Sequence, residues 1–98
     1  MLTHEQIVQA VEKAAIKFPL TKVSYFGSYA DGKATEESDL DLLVEFTTDA
    51  ISYLKIIALK RILEEELNIR VDVLHAPLPK KSRLIIRKTV PVYERTIV

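Results

Sequence analysis

Apolar side chains first recur at helical spacing, with Ile7, Ala10, Val11, Ala14 and Phe18 falling on one stripe. Thr3-His4-Glu5-Gln6 in front of them has the spacing of a capping box, with Thr3 at the N-cap and Gln6 reaching back. Together they predict an amphipathic helix over about residues 4–17, ending before Pro19. Val23 to Phe26 is a β-branched and aromatic run that reads as a strand, closed by Gly27-Ser28, with Asp31-Gly32 in a connecting turn or short helix. From Asp39 to Phe46 the pattern alternates. Leu40, Leu42, Val44 and Phe46 fall on one face of a strand, and Asp39, Asp41, Leu43 and Glu45 on the other.

Thr48 or Asp49 is the expected cap of a second helix running to about Leu67, with Ile51, Leu54, Ala58, Leu59, Ile62 and Leu63 turned inward. Glu64, Glu65 and Glu66 read as a solvated face near its end, and Asn68 fits a helix stop. Arg70 to Leu74 predicts another strand, with Val71 and Val73 on one face and Asp72 on the other. After Pro77 and Pro79, a short basic helix is expected from about Lys81 to Lys88. Val90 to Tyr93 then reads as an edge strand, the place where Pro91 is tolerated. This order predicts an α+β, two-layer fold: one sheet with helices packed on one face.

The 98 residues suffice for one small domain and leave no room for a second core. At 48% hydrophobic and 29% charged, the composition is that of a globular chain rather than a disordered one. No uncharged run reaches the roughly 18 residues of a membrane span, so no membrane partner is expected. The absence of cysteine removes disulfide and thiolate-zinc chemistry and favours a cytoplasmic setting. The charges cancel, 14 basic against 14 acidic residues, which argues against a general nucleic-acid coat. They are unevenly spread, however. Between Gly27 and Ala50 seven acids (Asp31, Glu36, Glu37, Asp39, Asp41, Glu45, Asp49) face Lys33 alone. Between Pro77 and Val98 six bases face Glu94 alone. The first segment suits cations; the second suits an acidic partner or a solvated face.

Chemistry concentrates in Phe26-Gly27-Ser28 and, ten residues on, Asp39-Leu40-Asp41. Gly27 lets a backbone approach a ligand closely after a strand, and Ser28 offers a hydroxyl and an N–H to an anion. Asp39 and Asp41 leave one strand face together, and hard oxygen ligands so placed select Mg²⁺ or Mn²⁺. Asp72 is the natural third carboxylate, able to bind one ion and to help deprotonate an attacking hydroxyl. His4 is expected at the surface and His75 in loop packing; Tyr25 is expected to pack, and Tyr29 is a candidate to cover a nucleotide base.

Those residues carry a resemblance. Phe26-Gly27-Ser28 with Asp39-Leu40-Asp41-Leu42-Leu43-Val44 resembles the signature of the polymerase beta-type nucleotidyltransferase superfamily. The short length and the closing Val90-Pro91-Val92-Tyr93-Glu94 look like its minimal nucleotidyltransferase (MNT) branch. The resemblance implies a single domain over residues 1–98, with a small mixed sheet. It implies that Gly27 and Ser28 hold the triphosphate of ATP, and that Asp39, Asp41 and Asp72 hold two Mg²⁺ ions. It further implies attack by an acceptor hydroxyl on the α-phosphorus, with pyrophosphate released. Members of this branch commonly neutralise a HEPN-domain toxin, some by adenylylating one of its tyrosines. Many relatives read Gly-Ser-x-Ala-Arg-Gly, whereas Asp31 stands here at the arginine position, with Lys33 close enough in sequence to compensate as a third nucleotide contact. That departure keeps an alternative open: an idle site in a module that neutralises its partner by occlusion. Larger relatives carry additional acceptor domains, so a protein acceptor with its own scaffold is expected here rather than a small molecule such as an aminoglycoside. Direct nucleic-acid binding is not expected, and a homo-oligomer is compatible with the sequence.

Overall fold

Six elements follow in the order helix, strand, strand, helix, strand, strand. They belong to a computed structural model, which describes residues 1–48, 50–76, 86 and 88–95. They are α1 (His4–Lys17), β1 (Leu20–Phe26), β2 (Leu40–Phe46), α2 (Tyr53–Leu67), β3 (Val71–His75) and β4 (Val90–Glu94). The expected basic helix at Lys81–Lys88 lies, apart from Ile86 and Lys88, outside the described residues. No described helix is long and apolar enough to cross a membrane.

Helix α1 forms where the pattern demands it. The Thr3 side chain accepts from the Gln6 backbone N–H at 3.2 Å, and the Gln6 side chain accepts from the Thr3 N–H at 2.8 Å. The reciprocal box satisfies two donors that a helix start otherwise leaves bare. Its inward stripe is Ile7, Ala10, Val11 and Ala14, all buried. Helix α2 starts later than the sequence suggested. Ser52, not Thr48 or Asp49, is the N-cap, its hydroxyl accepting from Lys55 N–H at 3.2 Å. Thr48 instead accepts from Ala50 N–H and turns the chain before the helix begins. The later start alters which residues reach the core: Leu59, Leu63 and Leu67 are buried, whereas Leu54 is 76% exposed. Asn68 ends α2 in the left-handed conformation that asparagine tolerates.

The sheet order is β3-β2-β1-β4. β1 runs antiparallel to both β2 and β4, while β2 and β3 are parallel. A parallel pair needs a long crossover, and α2 supplies it. β1 begins three residues earlier than expected, at Leu20, because Leu20 pairs with Phe46 at the far end of β2. Pro91 sits on the edge strand β4, where its missing N–H costs no ladder bond to a further strand.

One face of the sheet meets the helices. Leu40, Leu42, Val44 and Val71 are fully buried there, together with Val23 and Tyr25 of β1. By strand alternation, Ser24, Phe26, Asp41, Leu43, Asp72 and Leu74 share the opposite face. The two layers thus predicted are present, and the second face is left for chemistry.

Removing the α1 cap with Thr3→Ala strips the side-chain half of the box. The expected loss is about 1 kcal/mol, or a thermal midpoint lower by roughly 4–8 °C in a domain of this size. A calorimetric scan of wild type and variant measures it.

Candidate functional site

The β2–β3 register builds the site. Asp41 is the direct partner of Asp72, between the Leu40–Val71 and Leu42–Val73 pairs. Those apolar pairs anchor the register on the helix face, so both carboxylates emerge side by side on the other. Adjacent strands lie only about 4.8 Å apart. Phe26 of β1 is the partner of Asp41 on the other side, a buried aromatic neighbour on the same face. Asp39 precedes β2, half-buried, two residues from Asp41 and on the same face.

A negative charge held close to a buried carboxylate raises its proton affinity. Asp41 is held above the ordinary carboxylate range, first by burial, then by the charges of Asp72 and Asp39, with a carboxyl hydrogen bond to Asp72 acting in the same direction. The arrangement is therefore destabilising when bare and suited to a counter-charge.

Gly27 follows β1 directly and adopts φ +70. A Cβ built there would collide with Asp41 Oδ2, so the glycine does more than turn the chain; its bare Cα leaves that oxygen its space. Residues 27–33 form a single helical-type turn rather than a short helix. Asp31 N–H donates to Gly27 O at 3.0 Å, and Lys33 N–H donates to Ser28 O at 2.9 Å. Gly32, at φ +72, makes the left-handed step that lets this second bond close. Ser28 is half-buried beside the carboxylates' strand, and Asp31 and Lys33 are exposed on the turn. All six sequence-derived candidates, Gly27, Ser28, Lys33, Asp39, Asp41 and Asp72, therefore belong to one end of the sheet.

The aromatic and imidazole candidates go elsewhere. Tyr29 does not cover this site: its hydroxyl accepts from Leu2 N–H at 3.4 Å, and it lines a small cavity of about 170 Å³ under the N-terminus with His4 and Tyr25. His4 is tied to the core by Nδ1, 2.9 Å from the Tyr25 hydroxyl, and burial raises the Tyr25 pKa. His75 partners Val44 and so faces the helix side, its ring edge against Phe46. The solvated reading of Glu64–Glu66 holds for Glu65 and Glu66, both exposed, and fails for Glu64. Glu64 accepts from Val71 N–H, and Glu66 pairs with Lys13 at 2.7 Å.

A groove of about 670 Å³ opens from Asp41 and Asp72 past the edge strand β3 to α2. Its α2 wall includes Tyr53, Ile57, Lys60 and Arg61. The sequence reading missed these residues. The signal was present: Tyr53, Ile57, Lys60, Arg61 and Glu64 recur at helical spacing, on a stripe offset from Leu59, Leu63 and Leu67.

Among the described residues no three acidic or histidine side chains already form a closed ion cage. What stands there is an open set of hard oxygen donors whose charges oppose one another. Mg²⁺ is commonly bound in that way, by one or two carboxylates with substrate phosphates completing its shell. The donor chemistry fits such an ion.

Comparison with known proteins decides the family. A model described as a nucleotidyltransferase domain matches residues 5–97. The chain belongs to the nucleotidyltransferase domain family. It is 41% identical over 76 residues to the protein adenylyltransferase MntA of Thermococcus cleftensis, covering 74% of this chain and 76% of that one. A solved structure assigned as a minimal nucleotidyltransferase superposes with a TM-score of 0.69 at 36% identity, over 86% of this chain and 87% of that one. A chain from the complex of the tri-AMPylated HEPN toxin of Shewanella oneidensis with its MNT antitoxin matches with a TM-score of 0.69 at 17% identity. The match covers 95% of this chain and 74% of that one, and it shows a shared fold. This nucleotidyltransferase therefore has the mixed four-stranded sheet and two-helix layer of its fold neighbours.

Gly27→Ala forces a methyl group against Asp41 Oδ2 and into a left-handed backbone. Nucleotide transfer should fall at least about tenfold while far-ultraviolet circular dichroism stays unchanged, as expected for a local misplacement near the reacting groups. Asp41 gives a second expectation, with its sign fixed by the raised pKa. The folded state holds that proton more tightly than the unfolded one. The metal-free fold is therefore unburdened by Asp41 below about pH 3.9 and loses stability as pH rises through the elevated folded value. Asp41→Asn should lift the metal-free thermal midpoint at pH 7 by a few degrees and flatten its fall between acidic and neutral pH. Melting curves across that range check both.

Proposed function

We propose that this nucleotidyltransferase moves AMP from ATP onto a hydroxyl of a partner protein, a tyrosine of a HEPN-type toxin, and so acts as its antitoxin. The observation that carries the reading is the Asp41–Asp72 pair, set in register beside the Gly27 turn. The relative in Thermococcus cleftensis is named a protein adenylyltransferase, and the fold neighbour from Shewanella oneidensis is a chain of a complex between a tri-AMPylated HEPN toxin and an MNT antitoxin.

On this reading Gly27 and Ser28 hold the triphosphate, with the backbone of the turn close to it and Lys33 adding a positive charge. Asp39, Asp41 and Asp72 are the residues that would hold Mg²⁺. When bound, the ions offset charge on the phosphates and stabilise both the entering and the leaving oxygen. Asp72, exposed on the edge strand, is the base that takes the acceptor hydroxyl proton. A new bond forms between the acceptor oxygen and the α-phosphorus. The bond from that phosphorus to the bridging oxygen breaks, and pyrophosphate leaves with the electron pair. Phe26, the buried cross-strand neighbour of Asp41, sets an apolar side chain beside the carboxylate and strengthens the electrostatics there.

Asp31 supports a second reading. A carboxylate on the same turn opposes phosphate charge, which favours an antitoxin that acts by occlusion with an idle site.

ATP labelled at the α-phosphate, Mg²⁺ and the HEPN-domain partner separate the two. Wild type should transfer label to the partner, and Asp39→Asn/Asp41→Asn should transfer none while still binding it. A stable, folded complex without label from wild type would make occlusion the better account, and Asp31→Arg would then be the variant in which to look for restored transfer.

A further inference from the structure

Phosphoryl transfer constrains direction. The entering and leaving oxygens lie roughly in line on opposite sides of the phosphorus. The sheet order places the Gly27 turn, at the end of β1, on one side of Asp41, and Asp72 and the β3 edge on the other. If the turn holds the triphosphate, as the reading above has it, the acceptor arrives from the β3 side. The groove to α2 opens on that side and reaches the carboxylates themselves.

The chemistry of that groove differs from that of the site. Lys60 and Arg61 give it two cations, and neither takes part in an ion pair among the described residues. Glu64, the acid on the same wall, is engaged by Val71 N–H. Ile57 and Tyr53 add aliphatic and aromatic surface, and Tyr53 is 73% exposed with Leu54, 76% exposed, next to it. A nucleic-acid groove would carry cations along its length. Here they are confined to one helical turn and followed by apolar side chains, a pattern complementary to a protein segment that mixes acidic and apolar residues.

We propose that the groove between the β3 edge and α2 is the docking site of the acceptor protein. An acidic, apolar-rich segment of the acceptor lies against Lys60, Arg61, Ile57 and Tyr53 and carries its hydroxyl to the Asp41–Asp72 pair. This rests on the adenylyl-transfer reading for the direction of approach, but it concerns binding and is measured without chemistry.

The test uses Lys60→Glu/Arg61→Glu in the Asp39→Asn/Asp41→Asn background, with the HEPN-domain partner as probe and calorimetry as readout. Charge reversal should weaken partner binding by about tenfold or more. The same reversal in the otherwise wild-type chain should leave AMP-PNP affinity within about twofold. Tyr53→Ala, at a highly exposed position, serves as a second variant that leaves the fold intact and should weaken the partner by roughly fivefold. Partner affinity indifferent to all three substitutions overturns the proposal. So does a parallel loss of AMP-PNP affinity, which would assign the cations to phosphate. Binding of a single-stranded RNA oligonucleotide that is lost in the charge-reversed variant, in place of the partner, overturns it as well. Label transfer that persists while binding ignores Lys60 and Arg61 refutes only the docking site; lost binding with no label from wild type refutes only the chemistry.

Discussion

Two like charges held side by side in a small domain need a reason to stay there, and in this protein the reason is the parallel pairing of β2 with β3. Leu40, Leu42, Val71 and Val73 lock that pairing from the helix side, where Leu40, Leu42 and Val71 have no contact with water. A one-residue slip would move every one of these side chains to the wrong face. The register is thus fixed by hydrophobic burial, and the Asp41–Asp72 juxtaposition is carried along with it. Burial of apolar surface on one face offsets electrostatic cost on the other, which is how a marginally stable chain keeps a site that disfavours its own bare state.

The same logic explains why the glycine belongs where it does. β1 is buried on both faces at Ser24, Tyr25 and Phe26, so its end is rigid. The chain must then turn sharply beside the Asp41 carboxylate, and only a residue without Cβ leaves that oxygen room. The turn is closed by backbone hydrogen bonds to Gly27 and Ser28 carbonyls rather than by side chains. Its shape is consequently indifferent to the identity of residue 31. Asp31 in place of arginine alters the charge presented on the turn without altering the turn.

What the sequence made legible was whatever depended on a short period. Thr3-x-x-Gln6, the alternation from Leu40 to Phe46 and the lone Asp72 between valines each specify a geometry within a few residues, and each appears as expected. The carboxylates share a face by strand alternation alone, and only their exact pairing needed the β2–β3 register. Structure and sequence pattern part where two signals compete. Thr48, Asp49 and Ser52 are all good capping residues, and the first hydrophobics after them, Ile51 and Leu54, pulled the expected start forward. The Ser52 cap shifts which stripe meets the core, leaving Leu54 in solvent. Tyr29 departs from its sequence expectation for a different reason. Position next to a Gly-Ser turn does not reveal which way a ring points, and this hydroxyl points toward the N-terminus.

Helix α2 is the element whose double duty no local pattern could disclose. As a crossover between parallel strands it must bury Leu59, Leu63 and Leu67, and that requirement alone would be met by a polar outer surface. Instead its flank turns isoleucines and two cations toward the same groove that ends at the carboxylates. A helix flank that joins Tyr53 and Ile57 to two cations, offset from the core stripe, has surface that folding alone does not require. In a domain whose chemistry sits at one sheet end, with triphosphate proposed on the β1 side, that surface lies where an entering nucleophile must pass. The crossover that makes the carboxylates neighbours is therefore also the element best placed to choose what reaches them.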